Sequence, residues 1–410
     1  MHLPTRHETE PTDVTALLRR MVRVDTVNPA LPGGGAGESR LVDELEALCV
    51  GWGLATRRLA VAELSDQLLV TCPPEAKAEA GRSPWVLFDS HLDTVAVEGM
   101  TIDPFGGERR DGRVWGRGAA DTKGTGAAML WALREHAAAG GGPNGVALLF
   151  SVDEEVSMRG VASFVAHDLP RLAEGWGGVP CGVIVGEPTE LRPVAAHQGV
   201  LRWAVTTRGR ACHSSVPHEG VSAISAMVRV VERIEGEYVP SVTAEHPLTG
   251  SAACSVNVIR GGSASNIIPD ACTIEVDRRV SPGEDAAAVT AGFEACLAPL
   301  RGQDPPVDFA VEVAVDQPPL GTDRNGPLTE VVQQTLAELG LPTLTLGAPF
   351  ATHAATLDAA GVPAVVIGPG SPHTAHTRDE WVAVDQIERG VALYRALMQS
   401  PRFADANGVR

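Results

Sequence analysis

Three acids in succession, Asp153, Glu154 and Glu155, follow the apolar run Ala147–Phe150 in the segment ALLFSVDEEVSM. Like charges at the end of a core strand repel one another and lose hydration together, so something must offset them. Comparable placements recur along the chain. WVLFDSHLDT carries His91 and Asp93 just past an apolar run, GVIVGEPT carries Glu187, and PAVVIGPGSPHTAH leads to His376. Asp121 sits in the glycine-rich segment GRGAADTKGTG, which opens a helix near Thr125. Two histidines and several carboxylates, with no thiolate among them, suit zinc or a similar divalent ion. One acid more than a single ion needs points to two ions, roughly 3.5–4 Å apart and bridged by a carboxylate. Such cations would offset the mutual repulsion of the acids.

Residues so far apart in sequence meet only if the fold gathers them. The runs WVLF (85–88), VALLF (146–150), GVIVG (182–186) and PAVVIG (363–368) read as buried strands, separated by helical stretches such as 125–136. This alternation predicts an α/β domain, and in open α/β sheets the carboxyl ends of strands converge on one crevice. Neighbouring residues of a strand face opposite ways, which places Glu154 and Glu155 in the turn after it. One of them could then bind metal while the other faces the substrate. Residues 12–24 and 39–50 read as amphipathic helices, the second with Leu41, Leu45 and Leu48 on one face and Ser39 as its cap. Between about 197 and 316 the pattern changes to alternating strands around amphipathic helices, as in CTIEVDRRV, which indicates a half-exposed antiparallel sheet. The first pattern then resumes, with a helix opening on Pro327. The expected organisation is a catalytic domain in two parts, 1–196 and 317–410, with an inserted α+β domain at 197–316.

Composition narrows the function. The chain has 410 residues, 33 basic against 51 acidic, a net charge of −18. Such a surface repels phosphate backbones, so nucleic acid is not an expected partner. An apolar fraction of 44 % with no run near the roughly 18 residues of a membrane span describes a soluble protein. MHLPTRHETEPTDV has neither the basic nor the apolar region of a secretory leader, so a cytoplasmic location is expected. Seven cysteines (49, 72, 181, 212, 254, 272, 296) form no CxxC pair, which argues against both a disulfide framework and a thiolate zinc site. A dinucleotide-binding reading of GRGAADTKGTG fails because the glycine spacing is wrong and the preceding GRVW reads as a turn.

The segments SHLDTV, GRGAADTKG, SVDEEV, GEPT, ACHSSVPHEG, SNIIPDACTIEVDRR and GPGSPHTAHTRDE, in this order, resemble the dinuclear zinc aminoacylase and carboxypeptidase family. Its members include acetylornithine deacetylase, succinyl-diaminopimelate desuccinylase and the glutamate carboxypeptidases. The resemblance spans about residues 12–395 and is nearest to the acetylornithine deacetylase branch. It implies a zinc-aminopeptidase-like catalytic domain with a mixed sheet, and a ferredoxin-like insertion that serves as lid and dimerisation domain. It implies that His91 and Glu187 hold one ion, Glu155 and His376 the other, and that Asp121 bridges them. Zinc is the expected metal, with cobalt or manganese as alternatives. Asp93 would orient the His91 ring. Glu154 would be the general base, taking a proton from a metal-bridging water and passing it to the leaving amine. His213 would stabilise the oxyanion, reaching the partner subunit's site across a homodimer. Asn266 and Arg279 would contact the substrate backbone or carboxylate.

One departure bears on the substrate. The position of His353 in ATHAA is usually acidic in the acetylornithine branch, where it would read a positively charged side chain. Histidine there weighs against ornithine-like substrates. The expected activity is amide hydrolysis of an N-acyl amino acid or related small metabolite. The alternative within the same chemistry is a carboxypeptidase or dipeptidase. A non-catalytic ligand-binding paralogue is disfavoured because the ligands, the orienting acid and the base are all present.

Overall fold

The runs at Trp85–His91 and Gly145–Ser151 are buried at every position, as expected of central strands covered on both faces. They pair in parallel, and Trp85–His91 also pairs in parallel with Val183–Val185, which in turn pairs in parallel with Ala364–Val366. The computed structural model describes residues 10–35, 37–74 and 84–403. The N-terminal segment read for a leader therefore lies outside the described residues up to residue 9.

The large sheet is mixed. Its spatial order is Ala55–Leu59, Gln67–Cys72, Gly145–Ser151, Trp85–His91, Val183–Val185 and Ala364–Val366, with Val194–His197 and Leu346–Ala348 completing the far edge. The first two strands pair antiparallel. Helix Lys123–Ala138 packs on the central strands and against helix Val384–Gln399. Gly126 permits that approach, since a Cβ there would stand 3.0 Å from both Phe150 and Ser90 Oγ. Helix Ser39–Gly51 departs from expectation at its start. Ser39 is its first residue rather than its cap, and the hydroxyl donates to Ser65 Oγ instead. The helix expected to open on Pro327 begins one residue earlier, at Gly326.

The chain folds into two compact units. One comprises residues up to Ala195, Thr322–Leu346 and the chain from Thr352; the other comprises Ala196–Gly321 with Gly347–Ala351. The second unit runs strand Gly199–Arg208, helix Ala223–Arg233, strands Ala253–Gly261 and Ala271–Val280, helix Ala286–Leu297, strand Asp308–Gln317. Its antiparallel sheet is ordered 253–261, 271–280, 199–208, 308–317, the ferredoxin-like arrangement. Leu201, Trp203 and Val205 alternate with more exposed residues, so one face of the sheet is buried. Trp203 stacks on Phe293 at 4.1 Å between ring centroids, and Tyr238 meets both rings edge-on. No helix among the described residues is long and apolar enough to cross a membrane.

Trp203 anchors the core of the second unit. Trp203→Ala is expected to cost about 3–5 kcal/mol, read as a lower urea midpoint for that unit's unfolding; a loss under about 1 kcal/mol would contradict its place in the core.

Candidate active site

Parallel pairing brings the carboxyl ends of three strands to the same edge of the sheet. His91 closes strand Trp85–His91 and lies in register with Ser151. Glu154 and Glu155 follow in a turn after Ser151, and Glu187 comes two residues after Val183–Val185. Asp121 stands just before helix Lys123–Ala138. His376 is reached through the loop after Ala364–Val366 and has a left-handed backbone, φ 57°. A non-glycine residue held there is uncommon and requires surrounding structure to fix it.

The ligand-capable atoms form two groups that share a member. His91, Asp121 and Glu187 are one, and Asp121, Glu155 and His376 the other, with the ligand atoms of each all within 4.8 Å of one another. Asp121 turns one oxygen toward each histidine. Oδ1 lies 3.1 Å from His91 Nε2, and Oδ2 lies 3.2 Å from His376 Nε2. Glu155 Oε1 is 3.1 Å from His376 Nε2, and Glu187 Oε1 is 4.0 Å from His91 Nε2.

The electrostatics fit this donor set to cations. Burial and then the Asp121 charge hold Glu187 well above the usual carboxylate range and also raise Glu155. Burial, with Glu155 and Asp93 adding repulsion, pushes Glu154 up to about 8 despite attraction from His91 and His353. Burial opposes charge on Asp121 too, but hydrogen bonds with His376 and His91 outweigh it and hold its pKa low. Burial disfavours the His91 cation, yet Asp121 and Asp93 carry its pKa well above the ordinary value. Divalent ions suit carboxylates and imidazoles arranged in this way.

Further buried polar groups set the geometry. Asp93 meets the His91 ring mainly through its backbone: Nδ1 is 3.0 Å from the Asp93 carbonyl and 3.5 Å from Oδ1. The Asp93 carboxylate instead accepts the backbone N–H groups of Glu154 and Glu155 at 3.0 and 3.1 Å, and the Asn28 side chain at 2.9 Å. Asn28 also donates to Asp153, the first acid of the run, whose own N–H donates to Glu38. Asp153 therefore fixes the turn, while Glu155 reaches the ligand group. Glu380 does the same for Asp121. Its buried carboxylate accepts N–H groups from Gly118, Ala120 and Asp121 and pairs with Arg117 at 2.7 Å.

The remaining expected residues belong to neither ligand group. His353 is 1 % exposed, with Nδ1 2.9 Å from Asp89. His213, Asn266 and Arg279 belong to the second unit. Exposed His213 pairs in register with Ile267, and Ser214 N–H donates to the Asn266 carbonyl, so a small two-stranded antiparallel sheet, Cys212–His213 with Ile267–Ile268, brings His213 and Asn266 together. Arg279 pairs with Asp277 at 2.8 Å and, with Arg202, Ser255 and Asn257, lines a polar cavity of about 500 Å³.

Residues 87–400 match peptidase family M20/M25/M40. The chain is 32 % identical over 316 residues to acetylornithine deacetylase of Myxococcus xanthus, covering 76 % of this chain and 78 % of the relative. It is also 32 % identical over 355 residues to a protein of Aspergillus clavatus named "Probable carboxypeptidase", covering 82 % of this chain and 73 % of that one. Its fold is similar to that of Bacillus subtilis YXEP, described as a dinuclear metal binding peptidase, with a TM-score of 0.67 at 14 % identity over 94 % of this chain and 96 % of that one. The chain belongs to peptidase family M20/M25/M40. It is a metal-dependent hydrolase.

Glu380 lies within the segment GPGSPHTAHTRDE but has no signal of its own in the sequence. Its partners are 259–263 residues away, and only the fold makes it the acceptor for the loop of Asp121. Glu380→Ala would strand the buried Arg117 charge and is expected to cost about 3–5 kcal/mol in denaturant unfolding. A loss below about 1 kcal/mol would show that the loop does not depend on this pair.

Proposed function

We propose that this chain is a deacylase, cleaving the amide of an N-acyl amino acid or related small metabolite to release an amine beside a carboxylate. The observation that carries the reading is Asp121, one carboxylate common to two ligand groups, with Glu154 adjacent to the second group in the same turn. His91 and Glu187 would hold one ion, Glu155 and His376 the other, and Asp121 both; zinc is the first candidate. Bound there, two divalent ions would supply Lewis acidity, bring the pKa of water toward about 7 and offset the carboxylate repulsion.

In this reaction Glu154 takes a proton from the attacking water and delivers it to the leaving nitrogen, so that the amine departs neutral. Asp93, by accepting both N–H groups of the turn, keeps Glu154 and Glu155 in fixed register with His91. His213 is assigned to the oxyanion of the tetrahedral intermediate, Asn266 to the substrate backbone and Arg279 to its carboxylate, which a planar guanidinium binds bidentately. A histidine at 353 in place of an acid weighs against a cationic substrate side chain. A homodimer is proposed as the working form. Exposed Ile259 on edge strand Ala253–Gly261, with exposed Ile224 and Val228 on helix Ala223–Arg233, supports it. Similarity to the Aspergillus protein favours a second reading, a carboxypeptidase of the same chemistry.

A panel of N-acetyl, N-succinyl and N-formyl amino acids with dipeptides, run against a chelated control, separates the two. Hydrolysis of acyl amino acids supports the deacylase, and hydrolysis of dipeptides alone supports the second reading. Glu154→Gln is expected to keep fold and metal content while kcat falls at least about 10²-fold. Full activity in that variant would sink the assignment of Glu154 as base.

A further inference from the structure

The sheet of the inserted unit has a polar face that the roles above use only at Arg279. Trp203, Ile274 and Val276 point into the core with helices Ala223–Arg233 and Ala286–Leu297, so the alternate residues of those strands lie on the other face. There Ser255, Asp277 and Arg202 are register partners across three neighbouring strands, and Arg279 follows two residues after Asp277. With Asn257 they line the cavity of about 500 Å³. All of them lie within the second unit.

Asp277 serves both arginines. Its Oδ1 accepts from Arg279 Nε at 2.8 Å, and its Oδ2 accepts from Arg202 Nε at 3.0 Å. A cross-strand ion pair needs one arginine opposite one acid, and here a second has joined it. Glu275, the other acid of the cavity, is paired with Arg260. Three arginines thus face two acids, in a chain whose net charge is −18. That local excess of positive charge suits an anion.

The donors set what kind of anion. A guanidinium held through Nε keeps its two terminal amino groups, an edge that matches the two oxygens of a carboxylate. Those of Arg202 make no hydrogen bond among the described residues. Of those of Arg279, only Nη1 meets an acceptor, the Pro349 carbonyl at 3.4 Å. These N–H groups outnumber the roughly four lone-pair sites of one carboxylate. The side chains of Ser255 and Asn257, which make no hydrogen bond among the described residues, add to them. Because each arginine takes a different oxygen of Asp277, the two edges can each receive a carboxylate of their own.

We propose that this cavity is a dicarboxylate site, with Arg279 binding the carboxylate beside the scissile amide and Arg202 a second carboxylate of the same substrate. The substrate class is thereby narrowed to N-acyl amino acids with an additional acid, carried on the side chain or on the acyl group. This inference rests on the assignment of Arg279 to the substrate carboxylate.

The test compares matched substrates on the zinc-loaded enzyme: N-acetylglutamate with N-acetylglutamine, and N-succinylglycine with N-acetylglycine. The doubly acidic member of at least one pair is expected to have the higher kcat/KM, and the pair concerned tells which half of the substrate carries the second acid. In Arg202→Met that preference should fall about 10–100-fold, the scale of a lost charge-assisted pair. A second readout needs no turnover. By calorimetry, the affinity advantage of glutarate over butyrate should fall by a similar factor in Arg202→Met. No preference in either pair, or a preference and a glutarate advantage that survive in Arg202→Met, would overturn the proposal. If Arg202→Met fails to fold by circular dichroism, Arg202→Lys carries the test, because it keeps the charge beside Asp277 but loses the fork. A fall of at least about tenfold then supports the site, and an unchanged preference overturns it. Arg279→Met with an unchanged KM for N-acetylglutamine would remove the Arg279 assignment, and this inference with it. A raised KM in that variant, together with an undiminished preference in Arg202→Met, would remove the second-carboxylate site alone.

Discussion

Repulsion among buried carboxylates is the constraint on which the site depends. Asp121, Glu155 and Glu187 all bring oxygens within 4.8 Å of a ligand nitrogen, and Glu154 stands next to Glu155. Each loses hydration on burial, which opposes its ionisation more than any other single influence, and each that does ionise makes the next harder to charge. Only positive charge at the same place makes such a cluster tolerable. Divalent ions held by the carboxylates and by neutral imidazoles would supply that charge.

The scaffold answers the constraint by rigidity. Parallel strands end at one edge, and the turns beyond them are tied down by acids that are not ligands themselves. Asp93 accepts the N–H groups of the turn bearing Glu154 and Glu155. Glu380 does the same for the loop bearing Asp121. In both cases a buried carboxylate is satisfied by backbone donors, a charge-assisted arrangement that fixes direction as well as distance. Carboxylates that repel one another cannot position themselves, so this outer layer keeps the candidate ligand groups converged.

How much of the fold and site is legible in the sequence follows from the range of each interaction. Central strands announce themselves because both faces are buried, leaving continuous apolar runs such as VALLF. The candidate ligand groups are legible because their members follow such runs or a glycine-rich turn, where an acid or histidine has few structural reasons to be. The inserted unit is legible from its period of two, as in Leu201, Trp203 and Val205. Glu380, Asn28 and Asp89 are not. Their contacts reach partners 65 to 264 residues away, and nothing local distinguishes Glu380 from a solvated acid. Ser39 illustrates the opposite error, a good cap residue whose hydroxyl finds Ser65 instead.

The most direct test is metal stoichiometry, measured by elemental analysis on the purified protein and on Asp121→Ala after equilibration with zinc. Because one carboxylate serves both ligand groups, about two ions per native chain are expected, with near-complete loss of both in the variant. Two ions retained by Asp121→Ala, or a single ion in the native chain, would contradict the shared-carboxylate site.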